Sequence, residues 1–524
     1  MHKKYIVAPP QLFSKSLFWQ AQRAYYHGKG QKAWSDSVPF YITSNPFIAE
    51  RYAVIVARFM QEWQQKNPST TGSTFYIVEL GAGSGQFSFY FLKALNELLA
   101  QLQITSIQPC LIMTDFTESN INAWNDHPQL KPYLQAGTLD MALFDIEQSH
   151  QIRTIHQKIT LNPGTINTPL IVIANYLFDS IVNDIFHCKD EQLSCVKVAL
   201  STDHPNHKTI EALNYEKLAL STHLVPTNTH FYQHALFDPI LEEHQAAIRN
   251  GYFLFPIGAL NGLEQLNALS NGKMMLLTSD KGYTHYQQMR ELPFPEIDFH
   301  GSFSLMVNYQ AISSWFTLNH GAAQIQSPRD GLVTAAMTSG VTLDQFPETA
   351  LAIEQWVEKF SPTDYFNLYE HANQHAASFS LEALASMLSI SGWDPHLFHQ
   401  IYPSVSEKIR AADTEIVDFW IAHFKTMLDN FFYLPQSNDI FFQIGSLYYH
   451  YDLYEKALDC YEQSIQYFGE SFETYYNIAL AHHYNAQPSL AKIAIDHALR
   501  LNPSNNQIQK LSATIKKNKK SNPD

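Results

Sequence analysis

Seven consecutive residues carry the plainest chemistry in this chain: Glu79-Leu80-Gly81-Ala82-Gly83-Ser84-Gly85. Three glycines at alternate positions let the backbone turn sharply and bring its amides against a ligand with no Cβ in the way. The apolar run Phe75-Tyr76-Ile77-Val78 precedes the loop, and a helical pattern over residues 87–102 follows it. A dinucleotide would set its pyrophosphate on that helix N-terminus. Glu79 disfavours a pyrophosphate there and suits a ligand bearing an ammonium and a sulfonium. No basic residue is placed to meet a phosphate, and Asp115, closing the next apolar run, is a good acceptor for a ribose diol. These residue types point to S-adenosylmethionine (SAM), with a nicotinamide cofactor as the competing reading.

On that reading Gly81, Gly83 and Gly85 contact the methionine part, Glu79 supports its ammonium and Asp115 holds the ribose hydroxyls. Asp140, after the presumed third strand, is expected near the adenine, with Asp145 as second choice. Asn175, Tyr176 and Asp179 follow the run Leu170-Ile171-Val172-Ile173-Ala174, where a fourth strand would end beside the reacting methyl. A carboxylate there could orient or deprotonate an amine or guanidinium, so Asp179 is the acid–base candidate. It could equally cap the next helix. His300 and His320 read as packing or surface residues. Cys188 and Cys195 lack a matching second pair, and the histidines do not cluster, so no metal is expected.

The elements that must position these groups follow from periodicity. An aromatic helical stretch spans residues 12–26, and Asn45-Pro46 starts a second helix as N-cap and first-turn proline. Short apolar runs at 75–78, 111–115, 170–174 and 274–278 alternate with helical patterns. That alternation implies an α/β domain with a mostly parallel, Rossmann-like sheet covered on both faces. A β-like excursion between residues 186 and 220 decorates it. Past residue 346 the strand signal gives way to helix. At 524 residues the chain exceeds one core, and 45% hydrophobic content is ample for several. A formal charge of −15 opposes nucleic acid. Four unpatterned cysteines suit a reducing compartment, and no apolar run marks a signal peptide or membrane span. The expected location is cytoplasmic.

The loop resembles motif I of class I SAM methyltransferases, and the wider pattern resembles the MidA family, which includes mitochondrial complex I assembly factors that methylate protein arginine. Tyr25-Tyr26 followed by Tyr41-Ile42-Thr43 is similar to that family's N-terminal segment. Ala174-Asn175-Tyr176-Leu177-Phe178-Asp179 resembles its Ala-Asn-Glu-x-x-Asp motif, with Tyr176 in place of the Glu. Leu276-Leu277-Thr278-Ser279-Asp280-Lys281-Gly282 resembles its Asp-Tyr-Gly strand end, with Lys281 in place of the Tyr. His300-Gly301-Ser302-Phe303 through Val307-Asn308-Tyr309 resembles the stretch that follows. The resemblance implies a class I methyltransferase domain over 1–345 with SAM as cofactor and arginine as acceptor. Tyr176 motivates the alternative, a SAM-binding scaffold of weak or no turnover.

A second signal lies in the helical half. Phe441 and Tyr475, Gly445 and Ala479, Ala457 and Ala491, and Tyr461 and Ile495 are all offset by 34 residues, the period of tetratricopeptide helix pairs. The expected organisation is a helical link over 346–432, tetratricopeptide repeats with a capping helix over 433–516, and a disordered basic tail over 517–524. First-helix positions facing a concave surface would be Phe442 and Tyr476, Tyr449 and His483, and His450 and Tyr484. Phe442 is assigned to packing. Tyr449, His450, Tyr476, His483 and Tyr484 are the expected partner-binding set, recruiting a peptide or protein substrate.

Overall fold

The computed structural model describes residues 5–29, 41–202, 218–299, 302–327, 329 and 332–521. His300 and Gly301 lie outside the described residues, as do 522–524 and the side chains beyond Lys516. The chain divides into two compact units, Met1–Phe366 and Asn367–Asp524.

Strands β1 (Thr74–Glu79), β2 (Gln108–Asp115), β3 (Leu139–Leu143), β4 (Leu170–Asn175), β5 (Met274–Asp280), β6 (Ala322–Ile325) and β7 (Val333–Ser339) form the main sheet of the first unit. Their order is β6-β7-β5-β4-β1-β2-β3. β1 to β5 are parallel throughout, whereas β7 runs antiparallel to both β5 and β6. Residues 170–174 and 274–280 are wholly buried, as strands covered on both faces must be. The strand order reverses between β1 and β4, so a crevice opens beyond their carboxyl ends, at Glu79 and Asn175.

A second, antiparallel sheet contains Tyr5–Leu12, Asp184–Lys189, Gln192–Thr202, Leu218–Pro226 and Gly251–Phe255. It corrects the reading of the N-terminus. Residues 5–12 form an edge strand whose register shifts twice, with Pro9-Pro10 inside the second shift. Proline is tolerated on such an edge, and the irregular pairing erases the alternation that would betray a strand. Helix α1 (Leu17–Lys29) begins only after a short turn, and His27, Gly28 and Lys29 belong to it. Phe13, Phe18 and Trp19 pack with Val196, Val198 and Phe303 in a small core that anchors α1.

Helix α2 (Pro46–Lys66) is capped by Asn45, whose Oδ1 accepts the Ile48 amide at 3.1 Å. Near its other end the buried Glu62 carboxylate accepts the amides of Glu348 and Thr349 and the Thr349 hydroxyl. Residues 347–353 are thereby tied into the first unit at their exposed helix N-terminus. Helix α3 (Gln86–Gln101) follows the glycine loop, and α4 (Glu118–Asp126) follows β2.

The second unit is all helical. Its last five helices are α5 (Ile440–His450), α6 (Tyr454–Phe468), α7 (Phe472–Tyr484), α8 (Pro488–Leu501) and α9 (Asn506–Ser521). α5 packs on α6, and α7 on α8. Gly445, Ala457, Ala479 and Ala491 are buried where the paired helices meet. A Cβ on Gly445 would stand 2.8 Å from the Tyr461 ring, so only glycine fits without repacking. The backbone stays helical through Ser521, past the start of the expected tail.

Candidate active site

The glycine loop sits at the switch point. Gly81, Gly83 and Gly85 all have positive φ, at 64°, 53° and 79°, where a Cβ is strained. A side chain on Gly85 would also meet Met113 at 2.9 Å and Trp124 at 3.2 Å. The loop is bolted to its neighbours. The Leu80 amide donates to the Ile173 carbonyl, the Ala82 amide to the Thr114 carbonyl, and Trp124 Nε1 to the Gly83 carbonyl, each at 2.9 Å.

Two cavities flank the loop and share Gly81 and Tyr176. The larger encloses about 900 Å³ of space, part of it open to solvent. Asp115 lines it, only 5% exposed. Its Oδ1 accepts the Thr117 amide and hydroxyl, both at 2.8 Å, and its Oδ2 accepts Asn120 Nδ2 at 2.9 Å. Burial pushes the Asp115 carboxyl up, and these donors oppose the shift. Asn120 Oδ1 is buried in the same wall with no partner.

The far wall is α1. Trp19, Gln22, Arg23 and Tyr26 all line the cavity, at the spacing of one helix face. Trp19 Nε1 donates to the Phe13 carbonyl and Gln22 Nε2 to the Phe303 carbonyl, which fixes the rotation of that face. Arg23 pairs with Asp145 and, at 2.6 Å, with Glu147, and its guanidinium lies 5.0 Å over the Phe116 ring. Asp140 is placed differently from expectation. It lies inside β3, fully buried, and its carboxylate is filled by the amides of Met141, His156 and Gln157. It does not line the cavity, whereas Asp145 and Glu147 do. The acids that follow the strand's end, rather than the one within it, reach the crevice.

The smaller cavity holds about 410 Å³ and is lined by Thr43, Ser44, Glu79, Gly81, Ala82, Gly83, Ser84, Phe87, Asn175 and Tyr176. Ser88 donates to Glu79, and burial raises the Glu79 carboxyl to about 8. Asn175 Oδ1 accepts from the buried Tyr52 hydroxyl at 3.2 Å, and that hydroxyl also bonds Ser279. Asn175 Nδ2 is buried and unpartnered. Tyr176 adopts φ 47°, rare for a bulky residue and a mark of locally stored strain.

Asp179 is buried and lines neither cavity. It sits in the middle of the short turn Phe178–Ser180 rather than capping an α-helix. Its amide donates to Asp280 Oδ2 at 3.1 Å, and its Oδ1 accepts the Ser180 hydroxyl at 2.8 Å. Burial raises both carboxyls, and the neighbouring Asp179 charge adds to the rise at Asp280.

The geometry brings Gly81, Gly83, Glu79, Asp115, Asn175 and Tyr176 to one crevice and sets Asp140 outside it. Arg23, Tyr52 and Glu147 carried no signal because they reach the site through tertiary packing. Phe116 and Asn120 follow Asp115 with no motif of their own, and Tyr26 entered only within a resembling segment, with no role attached. Among the described residues no group of three or more His, Cys, Asp or Glu could hold a metal ion.

SAM, which supplies an electrophilic methyl on sulfur when bound, fits this set. The glycine loop leaves room for close backbone approach, Asn120 Oδ1 is an open acceptor beside Asp115, and Asn175 Nδ2 is an open donor beside Glu79. Buried polar atoms without partners are costly and mark where a ligand's groups belong.

Residues 54–290 match the family model described as "Putative S-adenosyl-L-methionine-dependent methyltransferase". No curated protein matches the sequence. Among solved structures, a Burkholderia thailandensis protein bound to S-adenosyl-homocysteine is 13% identical, with 64% of this chain and 90% of that one covered and a TM-score of 0.39. An uncharacterized Burkholderia thailandensis protein is 11% identical over 63% of this chain and 96% of that one, with a TM-score of 0.34. The Cut9–Hcn1 hetero-tetramer of the APC/C is 21% identical over 33% of each chain, with a TM-score of 0.23. These three likenesses are too distant to carry an argument. The family match and the cavity agree on one chemistry: the chain carries a SAM-dependent methyltransferase domain related to that family, with S-adenosylmethionine as its cofactor.

Proposed function

We propose that this protein methylates a nitrogen on a protein side chain, arginine by resemblance to the MidA family, in the cytoplasm. The observation that carries the reading is the pairing of the cavity beside the glycine loop with a buried phenol and carboxylate cluster at the β4 and β5 ends, where Tyr26, Tyr176, Asp179 and Asp280 gather. Such a cluster suits a cationic or proton-bearing nitrogen. In this reading Gly81, Gly83 and Gly85 receive the methionine part and Glu79 its ammonium. Asp115 and Asn120 take the ribose, with Phe116, Asp145 and Glu147 toward the adenine. Asn175 and Tyr176 face the acceptor. Positioning and exclusion of water carry most of the catalysis in such an in-line displacement.

The helices over 433–516 form tetratricopeptide-type repeats that recruit the partner. Support comes from α6 and α8, which start at Tyr454 and Pro488 in step with the 34-residue offset. Further support comes from a tyrosine cluster. Tyr449 lies 5.8 Å from Tyr454 and 6.2 Å from Tyr484, ring to ring, and Tyr484 is 59% exposed. Tyr476 is close enough to Tyr449 to perturb its hydroxyl. The His483 ring meets Tyr484, whereas the His450 ring meets Tyr451. Rigid aromatic anchors of this kind suit an interface core.

The strained Tyr176 favours a second reading, a SAM-binding scaffold without turnover. Incubation of lysate with methyl-labelled SAM, followed by mass spectrometry of labelled species, separates the two. Label on protein nitrogen supports the first reading. SAM binding with no label supports the second, and label confined to small molecules or RNA overturns the acceptor class.

A further inference from the structure

We propose that Tyr52 is a positioning residue that turns the Asn175 amide into the smaller cavity, where its Nδ2 receives the carboxylate of the cofactor's amino-acid end; this rests on the SAM reading above. Four elements contribute. Thr334 Oγ1 on β7 lies 2.9 Å from Ser279 Oγ on β5, and Ser279 Oγ lies 2.9 Å from the Tyr52 hydroxyl on α2. That hydroxyl stands 3.2 Å from Asn175 Oδ1 at the end of β4. Tyr52, Ser279 and Thr334 are buried, and of the four only Asn175 lines the cavity.

Three hydroxyls in a row carry three protons, so the row needs an acceptor at one end. Asn175 Oδ1 is that acceptor, for among the described residues Thr334 Oγ1 makes no hydrogen bond beyond the one to Ser279. The protons therefore run from Thr334 to Ser279, to Tyr52, to Asn175. Reversed, the row would leave the Thr334 proton buried without an acceptor. The amide is thus held with its carbonyl on Tyr52, and its Nδ2 is left buried with no protein partner. An unpaired buried donor is costly, so one held in that state by four elements marks where a ligand oxygen belongs.

The neighbours name that oxygen. Glu79 lines the smaller cavity together with the hydroxyl-bearing Ser44 and Ser84. One acid beside several donors matches an α-amino acid, whose ammonium meets Glu79 while its carboxylate meets the donors. The ribose is assigned to Asp115 in the larger cavity, and Gly81 and Tyr176 belong to both. A ligand that crosses at Gly81 therefore sets its amino-acid end in the smaller one. Nδ2 carries two protons, so one meets the carboxylate and the other remains for the acceptor side that Asn175 shares with Tyr176.

The test is calorimetry on the full-length protein with SAM and with decarboxylated SAM, which keeps the sulfonium and the amine and lacks only the carboxylate. Melting temperature is read for every variant. The wild type should bind SAM about tenfold or more tighter than the decarboxylated form, the worth of one charge-assisted hydrogen bond. N175A should cut SAM affinity by that factor and leave decarboxylated SAM unchanged. N175D sets like charges together, so it should cut SAM further and bind decarboxylated SAM at least as well as the wild type. Y52F keeps the ring that packs on Phe87. It should cut SAM affinity alone by about 3–10-fold, as the amide loses its hold. S279A, which leaves Tyr52 in place, should act in the same direction more weakly. A merely structural role would weaken both ligands together. Equal losses for the two ligands in folded Y52F and S279A, or no loss, would overturn the positioning role of Tyr52. A wild type that binds the two ligands alike overturns the carboxylate contact, and one that binds neither overturns the SAM reading itself.

Discussion

Asp115 is the residue on which the cofactor reading is most exposed to experiment. Asp115→Ala removes the buried acceptor and frees Thr117 and Asn120, which now hold the wall. Loss of one charge-assisted hydrogen bond costs about 1.5–3 kcal/mol, so SAM affinity should fall at least about tenfold in calorimetry. Glu79 gives a pH signature. Its carboxyl is raised to about 8 by burial, so at neutral pH the free protein holds it mostly protonated. A ligand ammonium favours the carboxylate, so binding releases a proton. Affinity should rise by up to about tenfold per pH unit from 6 toward 8, and Glu79→Gln should flatten that rise. Proton release measured in buffers of different ionisation enthalpy checks the sign. The same reasoning runs the other way for folding: a carboxyl raised in the native state loses stability as pH climbs from the ordinary carboxylate range to the raised value. Glu79, Asp179 and Asp280 therefore lower stability toward neutral pH in the free protein, and a ligand cation offsets the Glu79 share.

At the scale of elements, the signals that could be read were those in which local chemistry and burial agree. β1, β2, β4 and β5 are apolar runs, closed by the acids Glu79, Asp115 and Asp280 or, in β4, by Asn175; the glycine loop follows β1, and helix α2 carries its cap in Asn45-Pro46. The strand at Tyr5–Leu12 was hidden because its pairing is irregular and its partner lies nearly two hundred residues away. β7 reads Val-Thr-Ala-Ala-Met-Thr-Ser, too small and mixed to declare itself, yet it is fully buried between β5 and β6. In the helical unit Gly445 offers a direct test of the α5–α6 contact. Gly445→Leu forces a side chain against Tyr461 and Cys460. Overpacking of this kind costs about 1–3 kcal/mol. Chemical denaturation should show the second unit destabilised while SAM affinity, housed in the first unit, stays unchanged.

For the whole molecule, the proposal assigns cofactor and acceptor chemistry to one unit and recruitment to the other. Tyr449→Ala combined with Tyr484→Ala should leave SAM affinity and melting temperature near wild type and lower labelling of the native acceptor about tenfold or more, as loss of interface anchors does. Equal labelling would show that the tyrosine cluster is not the recruiter. The residue string alone determined the class of the first unit, the loop that meets the cofactor, and the acid at the end of β2. Glycine spacing and strand-end acids are local, and their chemistry does not depend on what folds against them. Only the tertiary structure decided which acid in or after β3 faces the crevice, since Asp140 and Asp145 differ by burial and backbone partners rather than by type. It likewise decided that α1 forms the far wall and that Asp179 sits behind Tyr26 and Ser180, because those relations join segments over a hundred residues apart through packing that no single segment encodes.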